Sequence, residues 1–201
     1  MFLHLKNKFP HLDKYWDKYL AVQRRVELPA RSVLLMEGKV SKKYFFIEKG
    51  CARVCFNNNG KDVTVQFFFE NEGLSSIESF RKNVPSPFTI ETIEPSIIYE
   101  IDKHDIESLI QELDTVQDFY KILLDISLQR QVHYMNEFVS FIRDTPLQRY
   151  QHLLQDKPHI IKRVPQHYIA SYLGISTVHL SRIKNKPAII SEKEKGKPKK
   201  V

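Results

Sequence analysis

The sequence predicts an α+β protein in which a small β-domain is followed by a long helix and then by a helix-turn-helix. Three patterns in the 201-residue chain indicate this order. Short β-branched or aromatic runs fill residues 28–102, residues 104–144 contain neither Gly nor Pro, and two short apolar segments flank Gly174. These patterns are typical of strands, of a long helix and of a helical hairpin, respectively.

The β-domain is predicted from six runs separated by turn residues. The runs are "SVLLM", "KYFFIE", "ARVCF", "DVTVQFFF", "FTIETI" and "SIIYEI". Turn signals between them are Gly38, Gly50, Gly60 at the end of "NNNG", and Gly73. Short strands at regular spacing predict a small barrel or jelly roll.

Residues 104–144 are predicted to form one short and one long helix. Their apolar positions recur every three or four residues on two successive stripes. The first stripe contains Val116, Phe119, Leu123 and Ile126, and the second contains Leu128, Val132, Met135, Val139 and Ile142. Such a stripe can pack on the β-domain of its own chain or against the same helix of a second copy.

The stretch "VPQHYIASYLGISTVHLSRIKN", residues 164–185, predicts a helix-turn-helix. The small Ala170 permits a close helix crossing, Gly174 suits a left-handed turn, and Leu180 anchors the second helix. Ser176 is the expected N-cap of that helix, and Pro165 suits the first position of the preceding one. Three further apolar residues complete the predicted hairpin core: Ile169, Leu173 and Ile183. An ordinary helical hairpin of a bundle would have the same spacing.

The charge distribution favours a phosphate-binding role for this hairpin. The chain has 31 Lys and Arg against 24 Asp and Glu, a formal net charge of +7. Residues 144–201 hold 12 of the cations and 4 of the acids, so this segment is +8 and residues 1–143 are −1. A neutral body joined to a basic hairpin is typical of proteins that bind nucleic acid. The tail "EKEKGKPKKV" supplies part of the excess and is predicted to be disordered.

The sequence argues against an enzyme, a metal site and a bound cofactor. Two cysteines are too few for an iron–sulfur cluster in one subunit, and Cys51 and Cys55 are expected to be reduced. None of the eight histidines lies between residues 28 and 102, which argues against a metal-binding cupin. No phosphate loop, nucleophile elbow or HExxH motif is present. No apolar run approaches the length of a membrane span, and a cytoplasmic, non-membrane protein is expected.

The order of β-domain, long helix and helix-turn-helix resembles the Crp/Fnr family of regulators. The run "LPARSVLLMEGKVSKKYFFIEKGCARVCFNNNGKDVTVQFF" is similar to the first half of their effector domain, and the resemblance covers residues 26–186. It implies a cyclic-nucleotide-binding-like β-roll (a double-stranded β-helix), a dimerisation helix and a winged helix-turn-helix. The expected boundaries are 1–110, 111–143 and 144–186, with the basic tail at 187–201.

The effector pocket implied by the resemblance lacks the residues that hold a cyclic nucleotide. Family members that bind one use a Gly-Glu pair for the ribose and an Arg followed by Ser or Thr for the phosphate. Counting back from "SIIYEI", these positions are Ser75-Ser76 and Ser86-Pro87, and none of them is cationic. Because a buried phosphate needs a paired cation, the pocket is expected not to bind cyclic AMP. The implied pocket residues are Ser75, Ser76, Ile77, Ser86, Pro87, Phe88, Gln131 and Tyr134.

The resemblance also assigns a DNA-reading surface to the hairpin. It comprises Gln166, His167, Ser176, Thr177, Val178, His179, Ser181, Arg182 and Lys184. Of the groove-facing side chains, Arg182 alone can reach both acceptors of a guanine.

Two functions remain open from the sequence. The first is a homodimeric, sequence-specific transcriptional regulator that binds double-stranded DNA, with an unidentified small-molecule effector and RNA polymerase as further candidate partners. Paired reading helices need a dimer, which favours pairing of the long helix with a second copy. The second is a ligand-binding regulatory module that acts through protein contacts without binding DNA.

Overall fold

The computed structural model describes residues 13–113 and 119–185. The predicted tail at 187–201 and Val116 of the first stripe lie outside these residues. The eight strands are β1 (Arg24–Leu28), β2 (Val33–Leu35), β3 (Lys43–Lys49), β4 (Ala52–Asn58), β5 (Lys61–Phe68), β6 (Gly73–Leu74), β7 (Thr89–Thr92) and β8 (Ser96–Asp102). The helices are α1 (Asp13–Ala21), α2 (Ile77–Lys82), α3 (Lys103–Leu113), α4 (Phe119–Arg143), α5 (Pro146–Asp156), α6 (Pro158–Arg163), α7 (Gln166–Tyr172) and α8 (Thr177–Lys184).

The strands form two four-stranded antiparallel sheets. Their orders are β1-β8-β3-β6 and β2-β7-β4-β5, so neighbours in a sheet are mostly distant in sequence. Buried apolar side chains fill the space between the sheets. They are Leu35, Phe45, Ile47, Ala52, Phe68, Leu74, Ile90 and Ile98. The prediction of a small jelly-roll-like β-domain is thus confirmed.

All six predicted runs are strands, but two further strands were not predicted. β1 precedes the predicted start of the domain, and its residues alternate between exposed and partly buried. It pairs only with β8 and lies at a sheet edge, where few apolar residues are needed. β6 has two residues, Gly73 and Leu74, too few for a periodic pattern.

Two glycines are required by close packing in the β-domain. Gly50 joins β3 to β4 with a φ of +106°, and a Cβ there would lie 2.2 Å from Ser96 Oγ. Gly73 was predicted to mark a turn but lies within β6. A Cβ at Gly73 would lie 2.5 Å from Tyr44 Oη, so this glycine makes room for the Tyr44 ring.

The long helical region is divided as predicted, into the short α3 and the 25-residue α4. Phe119 at the start of α4 is buried with Tyr19 of α1, Ile101 of β8 and Leu113 of α3. This cluster ties the first turn of α4 to the β-domain.

The C-terminal hairpin is formed by α7 and α8, supported by α5 and α6. Ser176 caps α8 as predicted, since its Oγ accepts a hydrogen bond from His179 N at 3.2 Å. Gly174 has the expected left-handed conformation, with a φ of +68°. Pro165 was predicted to be the first residue of α7 but is its N-cap, immediately before Gln166.

The predicted wing is not present within the described residues. Residues 119–185 contain helices and their connections, and no strand. Residues beyond 185 lie outside the described part, so the wing stays a prediction.

The hairpin and the β-domain share one apolar core. Phe67 and Phe69 of the β5 region are buried together with Tyr168 and Ile169 of α7 and with Leu180 of α8. Cys51 and Ile93 from the β-domain, and Tyr150 and Leu153 from α5, belong to the same cluster. The hairpin therefore packs on the β-domain of its own chain.

Polar contacts fix this packing at three places. Ser171 Oγ in α7 accepts from Thr64 N and donates to Asp62 O, each at 2.9 Å, and so extends the edge of β5. The guanidinium of Arg53 lies 3.9 Å from the centre of the Tyr168 ring. Arg163 donates two hydrogen bonds of 2.7 Å to Glu70 and another to Glu94.

Both cysteines are buried and unbridged, as expected. Burial raises the pKa of both thiols, to about 11 for Cys55. Neutral, buried thiols of this kind are unreactive.

The Arg163–Glu70 pair predicts an acid-dependent stability. Its hydrogen bonds lower the pKa of Glu70 to about 2, with help from the Gly50 N–H. Because this value is below that of an unfolded Glu, the contribution is complete above about pH 4.5 and is lost as pH falls towards 2. The side chains are 32% exposed, so solvent screening limits the pair to about 1 kcal/mol.

The expected result is that Glu70→Gln lowers the free energy of unfolding at neutral pH by about 1 kcal/mol and that the difference from wild type disappears near pH 2. Urea unfolding at several pH values measures it. Glu27→Gln, which changes a 70% exposed carboxylate, is the control. A difference between wild type and Glu70→Gln that is constant with pH would contradict the assignment.

Candidate functional site

Helix α8 buries one side and exposes the other. Leu180 and Ile183 are 1% and 5% exposed and pack against Ile169, Ala170 and Leu173 of the preceding turn and helix. All nine residues predicted for the reading surface are exposed: Gln166, His167, Ser176, Thr177, Val178, His179, Ser181, Arg182 and Lys184. All nine side chains thus lie at the surface of the hairpin.

The turn before α8 sets the direction of this exposed side. Gly174 reverses the chain, and Ile175 N donates to Ala170 O at 3.0 Å, which closes the end of α7. Ser176 then starts α8. The exposed Thr177 and Val178 follow directly in the first turn, the part of a recognition helix that contacts base edges.

Arg182 and Lys184 are cations without ion pairs in the described part of the chain. They lie in the last turn of α8, where positive charge interacts favourably with the helix dipole. Neither makes a side-chain hydrogen bond to residues 13–113 or 119–185. Both charges therefore remain available to an anionic partner.

The serines of the predicted effector pocket satisfy one another. Ser86 Oγ donates to Ser76 Oγ at 2.9 Å and accepts from Phe88 N at 3.1 Å. Ser75 Oγ lies 3.0 Å from both Ser41 Oγ and Lys43 O. Ser76 and Ser86 are buried. Small neutral hydroxyls thus occupy the positions at which the resemblance implies charged ligand-binding groups.

The remaining predicted pocket residues are less buried than Ser76 and Ser86. Ile77 and Pro87 are exposed, and Phe88 is partly buried with its ring edge-to-face against Phe56. Gln131 and Tyr134 are exposed on α4, and Tyr134 lines a different cavity, between α4, α5, α7 and β5.

Two cations lie close to Ser75 and Ser76 in sequence. Arg81 and Lys82 are exposed in the last turn of α2, and Lys82 forms an ion pair with Glu78 at 2.9 Å.

The second apolar stripe of α4 is exposed. Its five residues, Leu128, Val132, Met135, Val139 and Ile142, are between 40% and 69% exposed. Phe119, which belongs to the first predicted stripe, is 7% exposed and packs inside its own chain. The exposed part of the apolar surface of α4 therefore begins beyond its first turn.

Sequence reasoning missed the residues that hold the hairpin on the β-domain. Ser171, Arg163 and Glu70 are polar residues in unremarkable local sequence, and their pairing is long-range. The run "QFFF" indicated that a second element covers the sheet here. Three consecutive aromatic residues in a strand face both sides of its sheet, so both sides need a packing partner.

A family comparison decides the nature of the first domain. Residues 25–113 match the family model of the cyclic nucleotide-binding domain. The chain has a cyclic nucleotide-binding domain. No curated protein matches the chain in sequence.

Solved structures share the fold of this domain together with the helical part that follows it. The global regulator CLP from Xanthomonas campestris, described as responsive to c-di-GMP, is 17% identical with a TM-score of 0.66, over 85% of this chain and 89% of CLP. FixK2 from Bradyrhizobium japonicum is 12% identical with a TM-score of 0.65, over 81% and 83% of the two chains. A cyclic nucleotide-binding domain containing protein from Listeria monocytogenes is 18% identical with a TM-score of 0.63, over 89% and 87%.

The structural neighbours over most of the chain are thus regulators of the Crp/Fnr family, which confirms the resemblance at the level of the fold. No described helix is both long and apolar enough to cross a membrane. Within the described residues, no group of three or more His, Cys, Asp or Glu could hold a metal ion.

The serine cluster predicts that the cyclic nucleotide-binding domain does not bind cyclic AMP or cyclic GMP. A phosphate placed beside Ser76 and Ser86 would lose its water without gaining a cation. Titration calorimetry should give no dissociation constant at or below roughly micromolar, which corresponds to about 8 kcal/mol.

Micromolar binding that is lost in an Arg81→Ala, Lys82→Ala double variant would contradict this prediction, because it would show that the end of α2 supplies the missing charge.

Proposed function

We propose that the chain is a homodimeric, cytoplasmic transcriptional regulator that reads a specific DNA sequence with the exposed side of α8. The observation that carries this proposal is the division of α8 into a buried side, with Leu180 and Ile183, and an exposed polar side. Arg182 and Lys184 on the exposed side form no ion pair with residues 13–113 or 119–185. Two exposed cations beside the predicted groove-facing residues suit contacts with the phosphates of a duplex.

The charge distribution and the fold support the proposal. The reading surface belongs to the segment that carries all of the positive excess of the chain. CLP, which shares the fold, is described as a global regulator. RNA polymerase and a small-molecule effector stay candidate partners.

The proposed dimer uses the exposed stripe on α4. Leu128, Val132, Met135, Val139 and Ile142 step by four and three, the heptad spacing of a two-stranded coiled coil. In a parallel two-fold dimer the two α8 helices would enter successive major grooves, about 34 Å apart.

A charge reversal on the reading surface tests DNA binding. Arg182→Glu with Lys184→Glu should abolish retention on generic duplex DNA at low salt, while wild type is retained and released as salt rises. Point variants are preferable to deletion of residues 145–201, because deletion would expose Phe67 and Phe69. The mobility of the duplex in an electrophoretic mobility-shift assay measures this binding.

The control is Arg81→Glu with Lys82→Glu, an equal charge change on the cyclic nucleotide-binding domain that should leave retention unchanged. A wild type that is not retained at low salt would favour the alternative, a regulatory module that acts through protein contacts.

Met135→Glu should convert the dimer to monomers. The change places an unpaired carboxylate in the stripe, which costs about 3 kcal/mol or more when buried. Sedimentation measures the mass of each species. Gln129→Glu adds the same charge at an exposed position beside the stripe and should remain dimeric; equal masses for wild type and Met135→Glu would refute the assigned interface.

Arg182→Ala should weaken binding to the cognate site by about 1–3 kcal/mol and relax the preference at a single guanine. The guanidinium is the one group on the predicted groove-facing set that can donate to both guanine acceptors. Binding to a panel of single-base operator variants measures this preference. Uniform weakening across the panel would instead assign Arg182 to the phosphate backbone.

A further inference from the structure

A cavity lies where the cyclic nucleotide-binding domain, α4 and the hairpin meet. Its volume is about 360 Å³, which is within the range of small-molecule sites. Four elements line it: residues 63–66 of β5, residues of α4 from His133 to Phe141, the middle and end of α5, and the end of α7. It is separate from the serine cluster at Ser76 and Ser86.

We propose that this cavity binds a small carboxylate with an aromatic or alkyl body. The inference does not rest on DNA binding, because its test measures ligand binding alone.

The lining offers an apolar surface that is left open to water. Phe138 and Phe141 are 61% and 53% exposed, and Val65 on the opposite wall is 42% exposed. All three side chains line the cavity. An aromatic or alkyl group placed between them would remove this surface from water, which is favourable at roughly 25 cal/mol per Å².

Arg149 gives the cavity a cation without a carboxylate partner in the described residues. Its guanidinium donates to backbone carbonyls of Phe141, Asp144 and Leu173, at 3.2, 2.7 and 2.8 Å. Its Nε is buried and has no hydrogen-bond partner. The carbonyls position the guanidinium, and the Phe141 ring lies 4.7 Å from its centre, but no carboxylate of the described residues pairs with it.

The lining also contains Lys157 and two carboxylates, Glu137 and Asp156, and neither carboxylate pairs with Arg149 in the described residues. Glu137 is already bonded to Lys157 Nζ at 2.8 Å and to the Tyr172 hydroxyl. Lys157 has further donors to offer, since an ammonium group carries three. Asp156 is exposed at the rim, as is His152. An anionic head group near Arg149 and Lys157 would therefore meet more donors than acceptors.

A bound ligand would touch both parts of the chain at once. Val63 and Val65 belong to the cyclic nucleotide-binding domain, whereas Arg149 belongs to α5, which supports the hairpin, and Tyr172 belongs to α7 of the hairpin itself. Such a ligand would stabilise the packing of the hairpin on the domain, as any ligand does for the state that binds it.

Calorimetry on the full chain with three matched probes tests the proposal. The probes are 4-phenylbutyrate, 4-phenylbutanol and 4-phenylbutylamine, which differ in the charge of the head group. The carboxylate should bind with one-to-one stoichiometry, about tenfold or more tighter than the alcohol and the amine.

Two valine variants locate the site. Val65→Trp fills the cavity and should weaken 4-phenylbutyrate binding by about tenfold or more. Val33→Trp, at a 50% exposed valine of the same sheet that does not line the cavity, should bind as wild type does. Equal affinity for all three probes, or wild-type affinity in Val65→Trp, would overturn the proposal.

Discussion

The packing of the hairpin against β5 is the constraint on which the rest of the molecule depends. Phe67 and Phe69 lie on one side of the strand and enter the hairpin core, while Phe68 lies on the other side and enters the core between the sheets. One strand thus belongs to two cores. Its edge is closed by Ser171 of α7, and the ion pairs of Arg163 with Glu70 and Glu94 secure the far side. The exposed side of α8 is therefore held in a fixed position by the cyclic nucleotide-binding domain of its own chain.

The serine cluster shows how this domain can keep its fold without the charged residues that would bind a cyclic nucleotide. The strands need only their alternating apolar residues, and these are present from Leu35 to Ile98. Phosphate recognition, in contrast, depends on one or two cations at fixed places. Where Ser76 and Ser86 bond to each other, the fold retains satisfied polar groups but no charge for a phosphate. The fold of this domain therefore does not determine which ligand it binds.

Local features of the fold could be predicted from the sequence, and long-range ones could not. Ser176 and Gly174 were predicted because capping and left-handed turns depend on a few neighbouring residues. β1 was not predicted, since only Val26 and Leu28 alternate with polar residues in this short edge strand. The cavity near Arg149 could not be predicted because four elements from distant parts of the chain form it. One part of the cavity is visible in the sequence. Phe138 and Phe141 lie outside the heptad positions of the α4 stripe, so the stripe does not account for these two aromatic residues.

Selection of bound sequences from a random duplex pool, using the full chain, tests most directly whether two fixed α8 helices read DNA together. If the chain is a two-fold dimer paired along α4, the recovered sequences should form a palindrome. Its half-sites should have centres about 10 base pairs apart. Recovery of no enriched sequence, or of a single half-site without a symmetric partner, would contradict the proposed arrangement.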